Sequence, residues 1–118
     1  MPMKKILFLV GILCCTAFVY GQQLPSQPDS TKSILTVEAS CGTCQLKMEG
    51  DDCALAIRMG DKTYYVEGTS IDAHGDAHDK DGFCNKIRKA QVQGELVNNR
   101  YKVTWFKLLP LNSTAPKP

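Results

Sequence analysis

Residues 34–110 form a segment that is short for a self-sufficient hydrophobic core, and four cysteines lie within it: Cys41, Cys44, Cys53 and Cys84. Domains of this size usually need cross-links, such as disulfides or a bound metal ion, in addition to apolar packing. The cysteines therefore constrain the fold strongly. The 118-residue chain is 43% hydrophobic, which excludes intrinsic disorder, and its length fits one domain.

The first 21 residues have the pattern of a secretory signal peptide. Lys4 and Lys5 precede an apolar stretch at 6–20, which is followed by Gly21 and a polar segment. The apolar stretch is shorter than the roughly 20 residues that a membrane-spanning helix needs. We therefore predict a signal peptide at 1–21, export to the periplasm, envelope or medium, and no membrane span after cleavage. An uncleaved N-terminal anchor is the alternative.

Export determines which cysteines are present in the mature protein. Cleavage would remove Cys14 and Cys15, and the other four would enter an oxidising compartment, where cysteines pair as disulfides. Four cysteines allow two disulfides in three connectivities. We predict a flexible linker at residues 22–33, because this segment contains two prolines and no apolar pattern. We predict a disordered tail at residues 111–118. The folded domain is then 34–110.

Runs of β-branched and alternating apolar residues predict five strands, at 34–39, 54–59, 63–67, 89–97 and 101–108. Gly60 lies in a connection typical of a hairpin, Asn98 and Asn99 lie in a second one, and Gly94 is placed as in a β-bulge. We expect one short helix within 71–87. This order predicts a mainly β domain with one short helix, either a small OB-like five-stranded barrel or a β-roll.

Cys41 and Cys44 form a CxxC motif, which occurs in metal sites, redox dithiols and tight disulfides. A thioredoxin-type site needs a helix after the first cysteine and, in that family, a cis-proline. The chain has no proline from Asp29 to Leu109, and its predicted strands do not alternate with helices. A thiol–disulfide redox protein is therefore a further alternative rather than the first hypothesis.

His74 and His78 are the two histidines of the chain, and they lie four residues apart among several aspartates. On a helix, this spacing places both imidazoles on one face, as in many zinc and copper sites. The competing interpretation is that both histidines lie in a solvated loop.

Two hypotheses follow for the cysteines. In the first, a Zn²⁺ or copper site is formed by Cys41, Cys44, His74 and His78, while Cys53 pairs with Cys84. In the second, all four cysteines are oxidised to two disulfides, and the barrel is a structural or interaction module without metal. We find no catalytic serine triad, phosphate loop or dinucleotide-binding glycine motif, and we predict that the protein is not an enzyme.

Charge is segregated along the chain. Residues 49–81 contain nine acidic and three basic side chains, whereas residues 86–107 contain six basic and one acidic. Basic strands with Tyr101, Trp105 and Phe106 would suit stacking on nucleotide bases. Aromatic residues at alternate positions of a strand usually pack inside, however. Export also argues against a nucleic-acid partner. The sequence does not identify a partner, and another envelope protein is the class that export favours.

Several short motifs resemble those of a known family, namely CGTCQ at 41–45, CALA at 53–56, GDAH at 75–78 and DGFC at 81–84. Over about residues 35–109 the chain resembles a family of small exported domains of unknown function from Bacteroidota-type bacteria. The resemblance implies an envelope location. It implies no activity, substrate or catalytic residue.

Overall fold

The structure is a computed structural model that describes residues 24–111. The predicted signal peptide and residues 112–118 of the predicted tail lie outside this range, so both stay predictions from the sequence. Within the described range, no helix has the length and apolar character that crossing a membrane would require.

The described residues fold into five strands and one short helix: β1 Leu35–Cys41, α1 Gly42–Gln45, β2 Leu55–Met59, β3 Lys62–Glu67, β4 Arg88–Val97 and β5 Arg100–Leu108. The strands form a closed barrel in the order β1-β2-β3-β5-β4. Neighbouring strands are antiparallel except β3 and β5, which pair in parallel. The predicted mainly β domain with a five-stranded barrel is confirmed.

The two tight turns have the backbone conformation that the sequence predicts. Gly60, between β2 and β3, has a φ of 59°, and Asn98 and Asn99, between β4 and β5, have φ values of 52° and 63°. Glycine and asparagine tolerate this left-handed region, which two-residue hairpin turns require. The register of β4 and β5 shifts between Gln93 and Gly94, which confirms the predicted bulge.

The short helix lies in a different place from the one expected. Residues 71–87 form successive turns, closed by hydrogen bonds such as Ala73 N–H to the Ser70 carbonyl and Gly82 N–H to the Asp79 carbonyl. Gly75 adopts a φ of 108°, which interrupts any helix through this segment. The helix is α1, directly after β1.

The barrel core is formed by inward-facing residues of all five strands and by Phe83 from the connection between β3 and β4: Val37, Ala39, Leu55, Ile57, Val66, Phe83, Ala90, Val92, Tyr101, Val103 and Phe106. Burial of this apolar surface drives the strands together. Tyr101, Trp105 and Phe106 are all buried, so these aromatic rings stabilise the core and present no surface on which bases could stack.

Gln93 is a buried polar residue that attaches the segment before β1 to the barrel. Its side-chain oxygen accepts a hydrogen bond from Asp29 N–H at 2.8 Å, and its Nε2 donates to the carbonyls of Asp29 at 2.8 Å and Lys32 at 3.1 Å. Nearby, Trp105 Nε1 donates to the Ser26 carbonyl at 3.4 Å. The three hydrogen bonds of the Gln93 side chain compensate for burying its amide, since this residue is only 1% exposed.

We predict that Gln93→Met lowers the free energy of unfolding by about 1–3 kcal/mol, because three backbone groups lose a buried partner. Urea denaturation followed by tryptophan fluorescence measures the change. The matched control is Gln91→Met on the same strand, since Gln91 is half-buried and we find no side-chain hydrogen bond for it within residues 24–111. Its expected change is below about 0.5 kcal/mol. Equal losses in the two variants would contradict the role of the Gln93 amide.

Candidate metal centre

The four cysteines of the domain meet in one cluster. Cys41 ends β1, Cys44 lies on α1, Cys53 precedes β2, and Cys84 lies in the connection between β3 and β4. Their Sγ atoms all lie within 4.8 Å of one another. Within residues 24–111, this is the one group of three or more side chains placed to share a metal ion.

Two of the sulfurs are joined. Cys41 and Cys53 form a disulfide, with their Cα atoms 5.5 Å apart. Cys44 and Cys84 are free thiols, the first exposed and the second half-buried. The disulfide expected between Cys53 and Cys84 is therefore not the one formed, although their Sγ atoms lie 3.0 Å apart. The strand register brings residue 53 beside the end of β1, because Cys41 lies opposite Leu55.

Cys41 caps the N terminus of α1. Its backbone is extended, and its Sγ accepts a hydrogen bond from Cys44 N–H at 3.4 Å. The hydroxyl of Thr43 lies 3.5 Å from the same sulfur. The backbone N–H of Cys44 and the hydroxyl of Thr43 are therefore the polar groups that face the Cys41 sulfur at this turn.

Hydrogen bonds to two backbone carbonyls hold Cys84 against the end of β1. The Phe83 carbonyl accepts hydrogen bonds from Cys41 N–H at 2.9 Å and from the buried hydroxyl of Ser40 at 2.6 Å. The Cys84 carbonyl accepts one from Gln45 Nε2 at 2.9 Å. The connection between β3 and β4 is thereby fixed to the CxxC turn from two sides.

The GDAH and DGFC motifs shape the turn that carries Cys84. Cys84 N–H donates to the carbonyl of Ala77 at 2.9 Å, and Ala77 is buried. A Cβ atom on Gly82 would overlap the carbonyl oxygens of Asp76 and Ala77, so only glycine fits there. These residues position the cysteine, and we assign them no ligand role.

Burial raises the pKa of the Cys84 thiol, and the neighbouring Cys44, Asp72 and Asp76 raise it further. All of these effects disfavour a negative sulfur. A cation bound at the cluster acts in the opposite direction, because it stabilises the thiolate and displaces the proton.

The structure does not bring His74 and His78 into the cluster. The His74 ring lies against Phe106, with centroids 4.2 Å apart, and its Nε2 is 2.9 Å from the Thr69 hydroxyl. His78 is exposed, with its Nδ1 3.8 Å from a carboxylate oxygen of Asp76. The shared helix face that would unite the two imidazoles does not form, because this connection consists of turns.

The first sequence hypothesis pairs Cys53 with Cys84, the second places all four cysteines in two disulfides, and neither includes Cys53 and Cys84 among the metal ligands. The chemistry of the cysteines favours Cys53 and Cys84 as ligands, because four thiols make a complete tetrahedral ligand set without any histidine. The positioning roles of Ser40 and Gln45 were also missed, and no sequence pattern points to them.

A comparison with protein-family models finds one match, to a family described as "Family of unknown function (DUF6370)", over residues 35–109. This range runs from the start of β1 to just past β5 and contains all four clustered cysteines. No curated protein and no solved structure matches the chain.

Gly42 allows the CxxC turn to pack closely on the barrel. A Cβ atom there would lie 2.7 Å from Cε1 of Tyr65 and 3.2 Å from Cβ of Ala56. We predict that Gly42→Ala lowers the free energy of unfolding by about 1–3 kcal/mol through overpacking. In a Tyr65→Leu background the same substitution should cost less, which a double-mutant cycle in urea measures. Strictly additive effects would show that the ring is not the obstacle.

Burial lowers the pKa of His74. Below about pH 6.5, the unfolded chain therefore binds more protons than the native state, and the free energy of unfolding decreases as the pH decreases. The stability associated with the neutral, buried His74 is complete above about pH 6.5 and is lost as the pH decreases toward the native pKa of His74. We predict that His74→Phe flattens the decline between pH 7.5 and 5 in urea denaturation. His78→Gln, at the exposed histidine, should keep the wild-type slope, and a wild-type slope in His74→Phe would contradict this account.

Proposed function

The chain belongs to the DUF6370 family of unknown function, and we propose that it is an exported small β-barrel module that binds one soft metal ion, Zn²⁺ or copper, through Cys41, Cys44, Cys53 and Cys84. The observation that carries the proposal is the convergence of the four Sγ atoms to within 4.8 Å of one another. Four side chains from three separate segments of the chain contribute to this cluster.

The sulfur distances fit a tetrahedral ion. A Zn–S bond is about 2.3 Å, which places any two sulfurs of a tetrahedron about 3.8 Å apart. The Sγ atoms of Cys44 and Cys53 lie 3.8 Å apart, and those of Cys53 and Cys84 lie 3.0 Å apart. On reduction the Cys41 and Cys53 sulfurs separate from bonding distance toward this value, and no pair in the cluster needs to approach by more than about 1 Å.

The metal-binding form is the reduced form. An external dithiol supplies two electrons and two protons to the Cys41–Cys53 disulfide, which becomes two thiols while the dithiol becomes a disulfide. The ion then displaces the thiol protons as it binds the sulfurs. The N–H group of Cys44, which donates to the Cys41 sulfur at 3.4 Å, is placed to donate to a metal-bound sulfur as well.

The donor set narrows the choice of ion. Thiolates are soft ligands that select zinc and copper, whereas calcium and magnesium require oxygen ligands. Four thiolates without an open position are typical of structural zinc sites. A bound ion would cross-link the CxxC turn, the start of β2 and the connection between β3 and β4, and would thereby stabilise a small core.

Export and a partner in the envelope rest on the sequence of residues 1–21. The alternative function is a structural or interaction module without metal, and the disulfide between Cys41 and Cys53 favours it. Both alternatives require the same barrel, so metal binding by the reduced protein distinguishes them.

Metal analysis of the reduced protein tests the proposal. After treatment with a phosphine reductant and dialysis against Zn²⁺, we expect one ion per folded chain, with Co²⁺ absorption reporting tetrahedral thiolate coordination. Cys44→Ser and Cys84→Ser should each weaken binding by at least about 10–100-fold, the loss that even removal of an outer-shell partner causes. Circular dichroism verifies that each variant is folded.

His78→Ala is the matched control, because His78 belongs to the alternative Cys41, Cys44, His74 and His78 ligand set. The four-cysteine site predicts unchanged affinity in this variant. A loss comparable with that of Cys44→Ser would favour the mixed set instead. Failure of the folded, reduced wild type to retain metal would contradict the proposal and leave the disulfide-bonded module.

A further inference from the structure

Cys53 is the sulfur that the other three cysteines share. Its Sγ is bonded to that of Cys41, lies 3.0 Å from that of Cys84 and lies 3.8 Å from that of Cys44. Two free thiols therefore lie beside the same disulfide sulfur. Thiol–disulfide exchange proceeds by attack of a thiolate on a disulfide sulfur, so both resident thiols have Cys53 as a target.

We propose that the cluster is a thiol–disulfide exchange centre, in which Cys53 keeps one disulfide bond while its partner changes among Cys41, Cys44 and Cys84, and through which external thiols exchange electrons with the protein. This activity goes beyond metal binding and requires no metal ion. Its substrate class is a thiol or dithiol, on a small molecule or on another protein.

The internal step is balanced without an outside oxidant. The thiol of Cys44 gives its proton to water, and its thiolate attacks Sγ of Cys53. A Cys44–Cys53 bond forms while the Cys41–Cys53 bond breaks, and Cys41 leaves as a thiolate that takes a proton from water. The departing sulfur accepts the hydrogen bond from Cys44 N–H at 3.4 Å, which stabilises the leaving group.

Exposure determines where an external thiol reacts. Cys41 is 0% exposed, whereas Cys53 is partly exposed and Cys44 is exposed. An external thiolate therefore attacks Cys53, forms a mixed disulfide and releases Cys41. If a resident thiolate then attacks the Cys53 sulfur, the external thiol is regenerated. If a second external thiol instead attacks the external sulfur of the mixed disulfide, an external disulfide is formed and Cys53 is released as a thiol. The protein is then reduced by two electrons.

Exchange with Cys44 carries the disulfide from the interior to the surface. The Cys41–Cys53 bond includes a fully buried sulfur, and the Cys44–Cys53 bond would include an exposed one. The backbones that carry Cys41 and Cys84 stay fixed by the hydrogen bonds to the Phe83 and Cys84 carbonyls. All four sulfurs lie within 4.8 Å of one another, so exchange requires the Cys44 side chain to rotate into line with the Cys53–Cys41 bond.

Disulfide mapping of the whole protein tests this proposal. The protein is incubated with EDTA in a glutathione redox buffer, quenched with acid, alkylated, and mapped by peptide mass spectrometry. We expect the Cys41–Cys53 peptide together with a Cys44–Cys53 or a Cys53–Cys84 peptide. Detection of Cys41–Cys53 alone at every buffer ratio would overturn the proposal.

Cys41→Ser gives a second, independent outcome. If exchange occurs, Cys53 in this variant forms a disulfide with Cys44 or Cys84, and mixed glutathione adducts are a minority. A Cys53 that stays a thiol or a glutathione adduct in the folded variant would contradict exchange. Should the variant not fold, the wild-type map decides alone. EDTA removes metal from both experiments, so their failure and the failure of metal binding by the reduced protein are separate results.

Discussion

The hydrogen bonds that the Phe83 carbonyl accepts from Cys41 N–H and from the Ser40 hydroxyl hold the cysteine cluster together. They attach the long connection between β3 and β4 to the end of β1, where the CxxC turn begins. Cys53 and Cys84 are 31 positions apart in sequence, and their sulfurs meet because of this attachment. The cluster is therefore a product of the closed barrel, and loosening this attachment would separate the Cys84 sulfur from the other three.

The same four sulfurs support two chemical states. In the oxidised state, one disulfide joins the end of β1 to the start of β2, and two thiols lie beside it. In the reduced state, the same four side chains would offer four thiolate ligands, the number that a tetrahedral soft ion takes. A bound ion would cross-link the same segments in the reduced state that the disulfide joins in the oxidised state, so the proposed metal binding and the proposed disulfide exchange would be alternative uses of one arrangement.

Much of the fold could be predicted from the sequence, because strand periodicity and turn chemistry are local properties. Asn98 and Asn99 adopt the predicted left-handed turn, and the bulge lies at Gly94. The proximity of Cys41 and Cys53 could not be predicted, because it depends on the register that places Cys41 opposite Leu55. The histidine site depends on a short helix within 71–87, and the turns formed there do not place the two imidazoles on one face.

The most direct test of the central claim is X-ray absorption spectroscopy at the zinc edge of the reduced, zinc-loaded protein. The four-cysteine cluster predicts four sulfur scatterers at about 2.3 Å and no nitrogen scatterer in the first shell. A shell of two sulfurs and two imidazole nitrogens, or one completed by oxygen, would contradict the convergence of Cys41, Cys44, Cys53 and Cys84 on one ion.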